Sequence, residues 1–235
     1  METLLTPAEE SVASYTGIRT RLGGVLADLP DARAALTPVP ACPGWTVTDV
    51  MAHLYGVESD ILEGNLDGVG TGPWADDQVR RFAPLGLHGL LERWNEISPT
   101  LEAVGGTFPA RSAAQFVFDA CTHEHDIRGA LDRPGGRDAD SVRVGLSFIS
   151  SVLDGLVAEQ RLPGIELDTP GFRVVLGEPP VPVRLSASSF DLFRSFSGRR
   201  SVAQFRALAW DGDPGPYLTF FADTPVRPPE GDLLE

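Results

Sequence analysis

The stretch FVFDACTHEHDI, residues 116–127, concentrates side chains that bind metals or transfer protons, in a chain with only four histidines and two cysteines. On a helix, residues four apart share a face, so Asp119 and His123 form a pair. His125 lies two positions beyond His123, about 200° further round the axis, and points elsewhere. Asp126 returns to the side of His123, where it is a candidate hydrogen-bond partner. Such a pair alone is also typical of a solvated helix face.

A third histidine comes from the segment CPGWTVTDVMAHLYGVE. Thr46, followed three residues later by Asp49, is a capping-box signature that predicts a helix start. His53 then lies on or near the apolar stripe of this helix, and a buried histidine needs a polar partner. Because the second and fourth helices of an up-down bundle face each other across the core, we expect His53 to meet Asp119 and His123.

Two imidazoles and one carboxylate are the composition of a catalytic metal site, which keeps a fourth position open. Zinc is the first choice for such a set. Nickel, iron and manganese accept the same ligands, so ligand type alone does not fix the metal.

The elements that position these residues fall into two groups. The first two-thirds of the chain predict five helices, with a long loop between residues 64 and 84. After Pro163, the segments IELDTP, GFRVVLG and VPVRLSAS alternate apolar and polar residues, which predicts short antiparallel strands. The fold class is therefore α+β, with an N-terminal helical bundle over residues 1–162 and a small α/β domain over residues 163–235.

The overall composition of the chain limits which classes of binding partner are expected. The chain of 235 residues carries a formal charge of -14 and contains no lysine, which argues against nucleic acid. We recognise neither a signal peptide nor an apolar run approaching the ~20 residues of a membrane span. Two cysteines, Cys42 and Cys121, do not form a disulfide framework. We expect a cytoplasmic protein, monomeric or homodimeric, that contacts neither membrane nor nucleic acid.

Three motifs together resemble the mycothiol-dependent maleylpyruvate isomerase family: CPGWTVTDVMAHLYGVE, DACTHEHDIRGAL and FDLFRSFSGRRSVAQFRALAWDGDP. The resemblance implies a DinB-like four-helix bundle followed by that family's small C-terminal domain. It also implies a divalent metal held by His53, Asp119 and His123, with mycothiol as cosubstrate. The characterised isomerases have glutamate at the position of Asp119, so this carboxylate is one methylene shorter.

The resemblance further implies a mechanism. A divalent cation lowers the pKa of a bound thiol, and the thiol adds to an activated double bond. Rotation and elimination then give the other geometric isomer, whereas release of the adduct makes the protein a thiol S-transferase. The substrate is expected to be a small anionic electrophile, with Arg81, Arg199 and Arg200 as the candidate catalytic cations.

Two other classes of function use the same residues. A DinB-like bundle that binds a small ligand or a protein partner without turnover is one alternative. Metal-assisted hydrolysis, with water as the nucleophile, is the other, and it predicts activity without added thiol.

Overall fold

The computed structural model describes residues 4–224 and 226–235. Its helical part consists of α1 Ala8–Leu26, α2 Asp31–Ala34, α3 Val47–Glu63, α4 Gly72–Phe82, a 3-10 helix at Ala83–Leu85, α5 Gly86–Gly105, α6 Ala110–Ala130 and α7 Asp140–Glu159. The remaining elements are β1 Ile165–Thr169, β2 Phe172–Leu176, β3 Val183–Ser186, α8 Ser189–Phe196, α9 Val202–Arg206, β4 Ala209–Asp211 and α10 Gly215–Ala222.

Helices α1, α3, α5 and α6 form the four-helix bundle, with α1 and α3 each packed between α5 and α6. The predicted capping box is present: Thr46 accepts from the backbone of Asp49, and the Asp49 side chain accepts from the backbone of Thr46. This fixes the start of α3, so that His53 falls in the second turn on a buried face.

Helix α7 packs along α6 and α1 on the outside of the bundle. By length and composition it is apolar enough to cross a membrane, with a mean hydropathy of 1.4. Yet 61% of that apolar window is buried inside the protein, as is typical of a core helix. The apolar surface of α7 is therefore accounted for by packing.

The loop predicted over residues 64–84 is wrong, because α4 occupies most of it. The face of α4 that points inward carries the fully buried Gln78. A polar residue at this position breaks the apolar periodicity by which helices are predicted. Gln78 can lie this close to α3 because Gly56 has no side chain: a Cβ at Gly56 would sit 2.6 Å from the Cβ of Gln78.

The C-terminal sheet has the strand order β2-β1-β3-β4. The β1–β2 and β3–β4 pairs are antiparallel, as predicted, whereas β1 and β3 run parallel. Helix α8 packs closely on α7 because Gly145 has no side chain: a Cβ at Gly145 would lie 2.6 Å from the ring of Phe193. The predicted α+β class with a helical N-terminal part and a small C-terminal sheet is thus confirmed.

The boundary predicted at residue 162 falls between the end of α7 and the start of β1. One hydrophobic cluster nevertheless contains residues from both sides of it. The division into two domains therefore stays a prediction.

Candidate metal centre

His53, Asp119 and His123 converge at one end of the bundle. The Nε2 atom of His53 lies 3.4 Å from Asp119 Oδ2, and the Nε2 atom of His123 lies 3.7 Å from Asp119 Oδ1. The imidazole rings have centroids 5.1 Å apart and are nearly perpendicular. Both histidines are almost buried, whereas the Asp119 side chain is 34% exposed, so the centre opens to solvent on the side of Asp119.

A chain of hydrogen bonds within the bundle fixes His53. Asp60 only accepts, so the amide of Gln78 donates to it through Nε2 at 2.7 Å. Gln78 Oε1 then accepts from His53 Nδ1 at 2.7 Å, which leaves Nε2 as the nitrogen turned towards Asp119. Arg81 ends the chain by donating to both oxygens of Asp60, at 2.7 and 2.8 Å.

A different chain fixes His123. Its Nδ1 donates to Asp126 Oδ2 at 3.0 Å, which leaves Nε2 free on the side of Asp119. Two arginines from the C-terminal part bind the same carboxylate: Arg194 at 2.6 Å from Oδ1 and Arg199 at 2.8 Å from Oδ2. Although burial opposes ionisation, Arg199 and Arg194 hold the pKa of Asp126 well below its usual value.

Opposite charges also shift the two groups at the centre. Burial alone would lower the pKa of His53, but the adjacent Asp119 carboxylate raises it above the usual value. Burial alone would raise the pKa of Asp119, but His53 and His123 lower it. Asp119 is therefore ionised at neutral pH, as a metal ligand must be.

The three residues fit a divalent cation. Tetrahedral ligands bound at about 2.0–2.1 Å lie about 3.3 Å apart, close to the 3.4 and 3.7 Å separations found here. Each histidine has its second nitrogen committed to an acceptor, the arrangement that orients ligand imidazoles. The donor set and its one open side match the composition of a catalytic site.

Cys42, His123 and Asp126 form a second cluster of potential ligands. Arg199 Nη2 lies 3.8 Å from the Cys42 sulfur and 2.8 Å from Asp126, so a guanidinium already supplies the positive charge there. Burial and the Asp126 carboxylate raise the pKa of the Cys42 thiol, which donates a hydrogen bond to Asp126 at 3.2 Å. This cluster is better described as part of the support for His123.

Two tryptophans border the centre. The Trp45 ring lies 5.4 Å from the ring of His53 and 6.3 Å from that of His123. The Trp74 ring meets His53 edge-on from α4 at 6.4 Å. Both indoles are half-buried.

The arginines named from the sequence do not stand free. Arg81 binds Asp60 and Asp77, and Arg199 binds Asp126. Arg200 donates to the Glu235 side chain at 2.8 Å. Direct contact of these arginines with a substrate stays a prediction.

Glu124 and His125 of the HEHD run make structural contacts away from the centre. Glu124 is buried and binds Arg21 of α1 and Arg128 of its own helix. His125 packs on Phe190, 4.7 Å between ring centroids, and burial lowers its pKa to about 3.

Sequence reasoning missed several neighbours of the ligands. Gln78 and Trp74 lie in the segment predicted as a loop, although Thr71-Gly72-Pro73 carries an N-terminal helix signal. Neither Trp45 nor Arg194 is among the candidate residues predicted from the sequence. Nothing in the local pattern around Arg194 indicates a partner on α6.

Together the fold and the centre define a helical bundle with a two-histidine, one-carboxylate metal-type site and a small α/β part. The family model of the mycothiol maleylpyruvate isomerase N-terminal domain matches residues 15–133, and the chain belongs to that family. Comparison with curated protein sequences gives no match.

Two crystal structures share the fold. One is of the mycothiol-dependent maleylpyruvate isomerase, with a TM-score of 0.54, and the other is of a histidine-to-alanine mutant of that enzyme, with a TM-score of 0.56. Each is 14% identical to the chain, and each match covers 88% of this chain and 95% of the other. At this identity the likeness establishes the fold, which agrees with the predicted family.

Proposed function

We propose that the protein is a divalent-metal enzyme that uses mycothiol to isomerise a small electrophilic substrate or to convert it to a thioether. The main support is that the Nε2 atoms of His53 and His123 converge with the Asp119 carboxylate beside solvent. The Nδ1 atoms of both histidines already donate to acceptors. Membership of the family supports mycothiol as the thiol.

His53, Asp119 and His123 are the residues that would hold the metal, with zinc proposed first. When bound there, a divalent cation lowers the pKa of a coordinated thiol so that it is deprotonated near neutral pH. The Gln78 and Asp126 hydrogen bonds keep the two imidazoles in the tautomer that binds metal. Asp119 lies at the open side, where thiol and substrate enter.

The reaction needs no change of oxidation state. The sulfur forms a bond to one carbon of an activated cis double bond, which becomes a single bond and rotates. Loss of the same sulfur restores the double bond in the trans form and returns the thiol. If a proton is added to the neighbouring carbon instead, the thioether is released and the protein acts as an S-transferase.

The test measures consumption or recycling of mycothiol by the metal-loaded protein with dimethyl maleate, followed by chromatography of the isomer and of the thioether. We expect turnover that Asp119→Ala abolishes and His125→Phe, a buried histidine on the far face, leaves unchanged. Unaltered turnover in Asp119→Ala contradicts the proposal. Bound metal with no thiol chemistry indicates a ligand-binding bundle, and turnover without thiol indicates hydrolysis.

The finer expectations from the sequence stay predictions. They are the cytoplasmic location, the monomeric or homodimeric state and the absence of nucleic-acid and membrane partners. The charge of -14 supports the exclusion of nucleic acid.

A further inference from the structure

The arginines nearest the centre are already paired with carboxylates among the described residues. Four arginines near the ligands are paired with five carboxylates, and Asp119 adds a sixth acidic group. The arginines are Arg81, Arg194, Arg199 and Arg200; their partners are Asp60, Asp77, Asp126, Asp191 and Glu235. Asp77 is also paired with Arg80, so five arginines stand against six carboxylates and the set has no excess positive charge before a cation binds.

Releasing one of these arginines for a substrate is unfavourable. Arg199 would have to leave the Asp126 carboxylate, which is fully buried, and Arg81 would have to leave the equally buried Asp60. Asp60 would lose its arginine and Asp126 one of its two, and a buried carboxylate with less pairing is destabilised, so these ion pairs persist. A substrate dianion would therefore enter a centre that offers it no unpaired guanidinium from these four residues.

The surface beside the ligands is instead aromatic. Trp45 covers both imidazoles from one side, and Trp74 approaches His53 from another. Half-buried indoles bind flat apolar groups by stacking or edge contacts, and they gain little from a carboxylate.

We propose that the centre accepts an uncharged electrophile that carries an aromatic or other flat apolar group, in place of the anionic substrate expected from the sequence. This inference rests on the proposed function for its chemistry, but the preference itself is a property of binding. It assigns Trp74 as a specificity-determining residue and Arg81 and Arg199 as supports of the ligands.

Binding is measured by calorimetry on the metal-loaded protein with two unreactive analogues that lack the double bond, succinate and its benzyl methyl diester. We expect the diester to bind at least about tenfold more tightly when mycothiol fills the open side of the metal, because succinate must then give up hydration without gaining a free cation. Equal or tighter binding of succinate, or no binding of the diester, overturns the proposal.

Variants identify the aromatic contact. Trp74→Leu is expected to weaken diester binding about threefold to tenfold and to leave succinate unchanged. Trp210→Leu is the matched control, since Trp210 is also half-buried but packs on Phe205 and Tyr217 in the C-terminal part. Trp74→Arg supplies a guanidinium at the same place and is expected to reverse the preference towards succinate. If the two leucine variants lose diester binding equally, Trp74 has no specific role and the proposal fails.

Turnover separates this inference from the proposed function. With mycothiol present, dimethyl maleate is expected to be isomerised or converted to its thioether, and maleate, with the same cis double bond, to react at least about tenfold more slowly. Faster reaction of maleate overturns the preference. Absence of reaction with both compounds, while the diester analogue still binds, contradicts the proposed function and leaves the binding preference supported.

Discussion

His53 and His123 are both oriented through Nδ1, but their supports differ in charge and in origin. The neutral amide of Gln78 holds His53, and its chain stays within α3 and α4. The Asp126 carboxylate holds His123, and its arginine partners come from α8 and the turn after it. One ligand is thus supported by the bundle, whereas the other depends on how the C-terminal part docks.

The two supports therefore differ in how much stability and metal affinity their loss should cost. A charged carboxylate accepts a stronger hydrogen bond than a neutral amide does, so Asp126 holds the His123 ring more firmly than Gln78 holds the His53 ring. The same carboxylate binds two cations, and its removal leaves Arg199 without its ion-pair partner and Arg194 with Glu235 alone. The Gln78 support carries no charge, and its loss costs hydrogen bonds alone.

The largest effect is expected from Asp126→Asn. It leaves Arg194 fully buried without its closest carboxylate, so the free energy of unfolding should fall by about 3–5 kcal/mol in urea denaturation. Metal affinity should fall about 10–100-fold in a chelator competition.

Asp168→Asn is the control for Asp126→Asn. It breaks the exposed ion pair with Arg173 and should cost less than about 1 kcal/mol. Similar losses in the two variants would mean that the buried carboxylate has no special role.

A second variant changes the stability of the bundle without touching either support. Glu58 on α3 is buried against Tyr15 and Ser98, and burial raises its pKa from 4.5 to about 7. The folded state therefore holds this proton more tightly than the unfolded state, so stability falls as pH rises across that interval, by about 3 kcal/mol.

Glu58→Gln should flatten this pH dependence and leave metal affinity unchanged, as measured by denaturation between pH 4.5 and 8. The exposed Glu96→Gln should keep the wild-type dependence. A decrease that persists in Glu58→Gln would place its origin elsewhere.

A smaller effect is expected from Gln78→Leu. It removes the acceptor for His53 Nδ1 and one donor to Asp60, so stability should fall by about 1–3 kcal/mol. Metal affinity should fall about tenfold, less than in Asp126→Asn. Gln115→Leu, on the exposed face of α6, is the control and should change neither quantity. A loss larger than that of Asp126→Asn would reverse the ranking of the two supports.

The sequence predicts one support better than the other. The three-residue spacing of His123 and Asp126 indicates their contact, because both lie on one helix. The arginines of Asp126 lie 68 and 73 residues away, so their pairing depends on tertiary packing that no local pattern encodes. The sequence does not predict the contact of Gln78 with His53 for a different reason. A polar residue on the inward face removes the apolar periodicity by which α4 would be predicted.

The most direct test of the central claim is a zinc titration against a chromogenic chelator, comparing the wild type with His123→Phe and His125→Phe. The two histidines stand two residues apart, and both are buried, but His123 faces Asp119 while His125 faces Phe190. We expect one tightly bound equivalent of zinc in the wild type and in His125→Phe, and loss of that zinc equivalent in His123→Phe. Loss in His125→Phe with retention in His123→Phe, or no tight binding in the wild type, would contradict it.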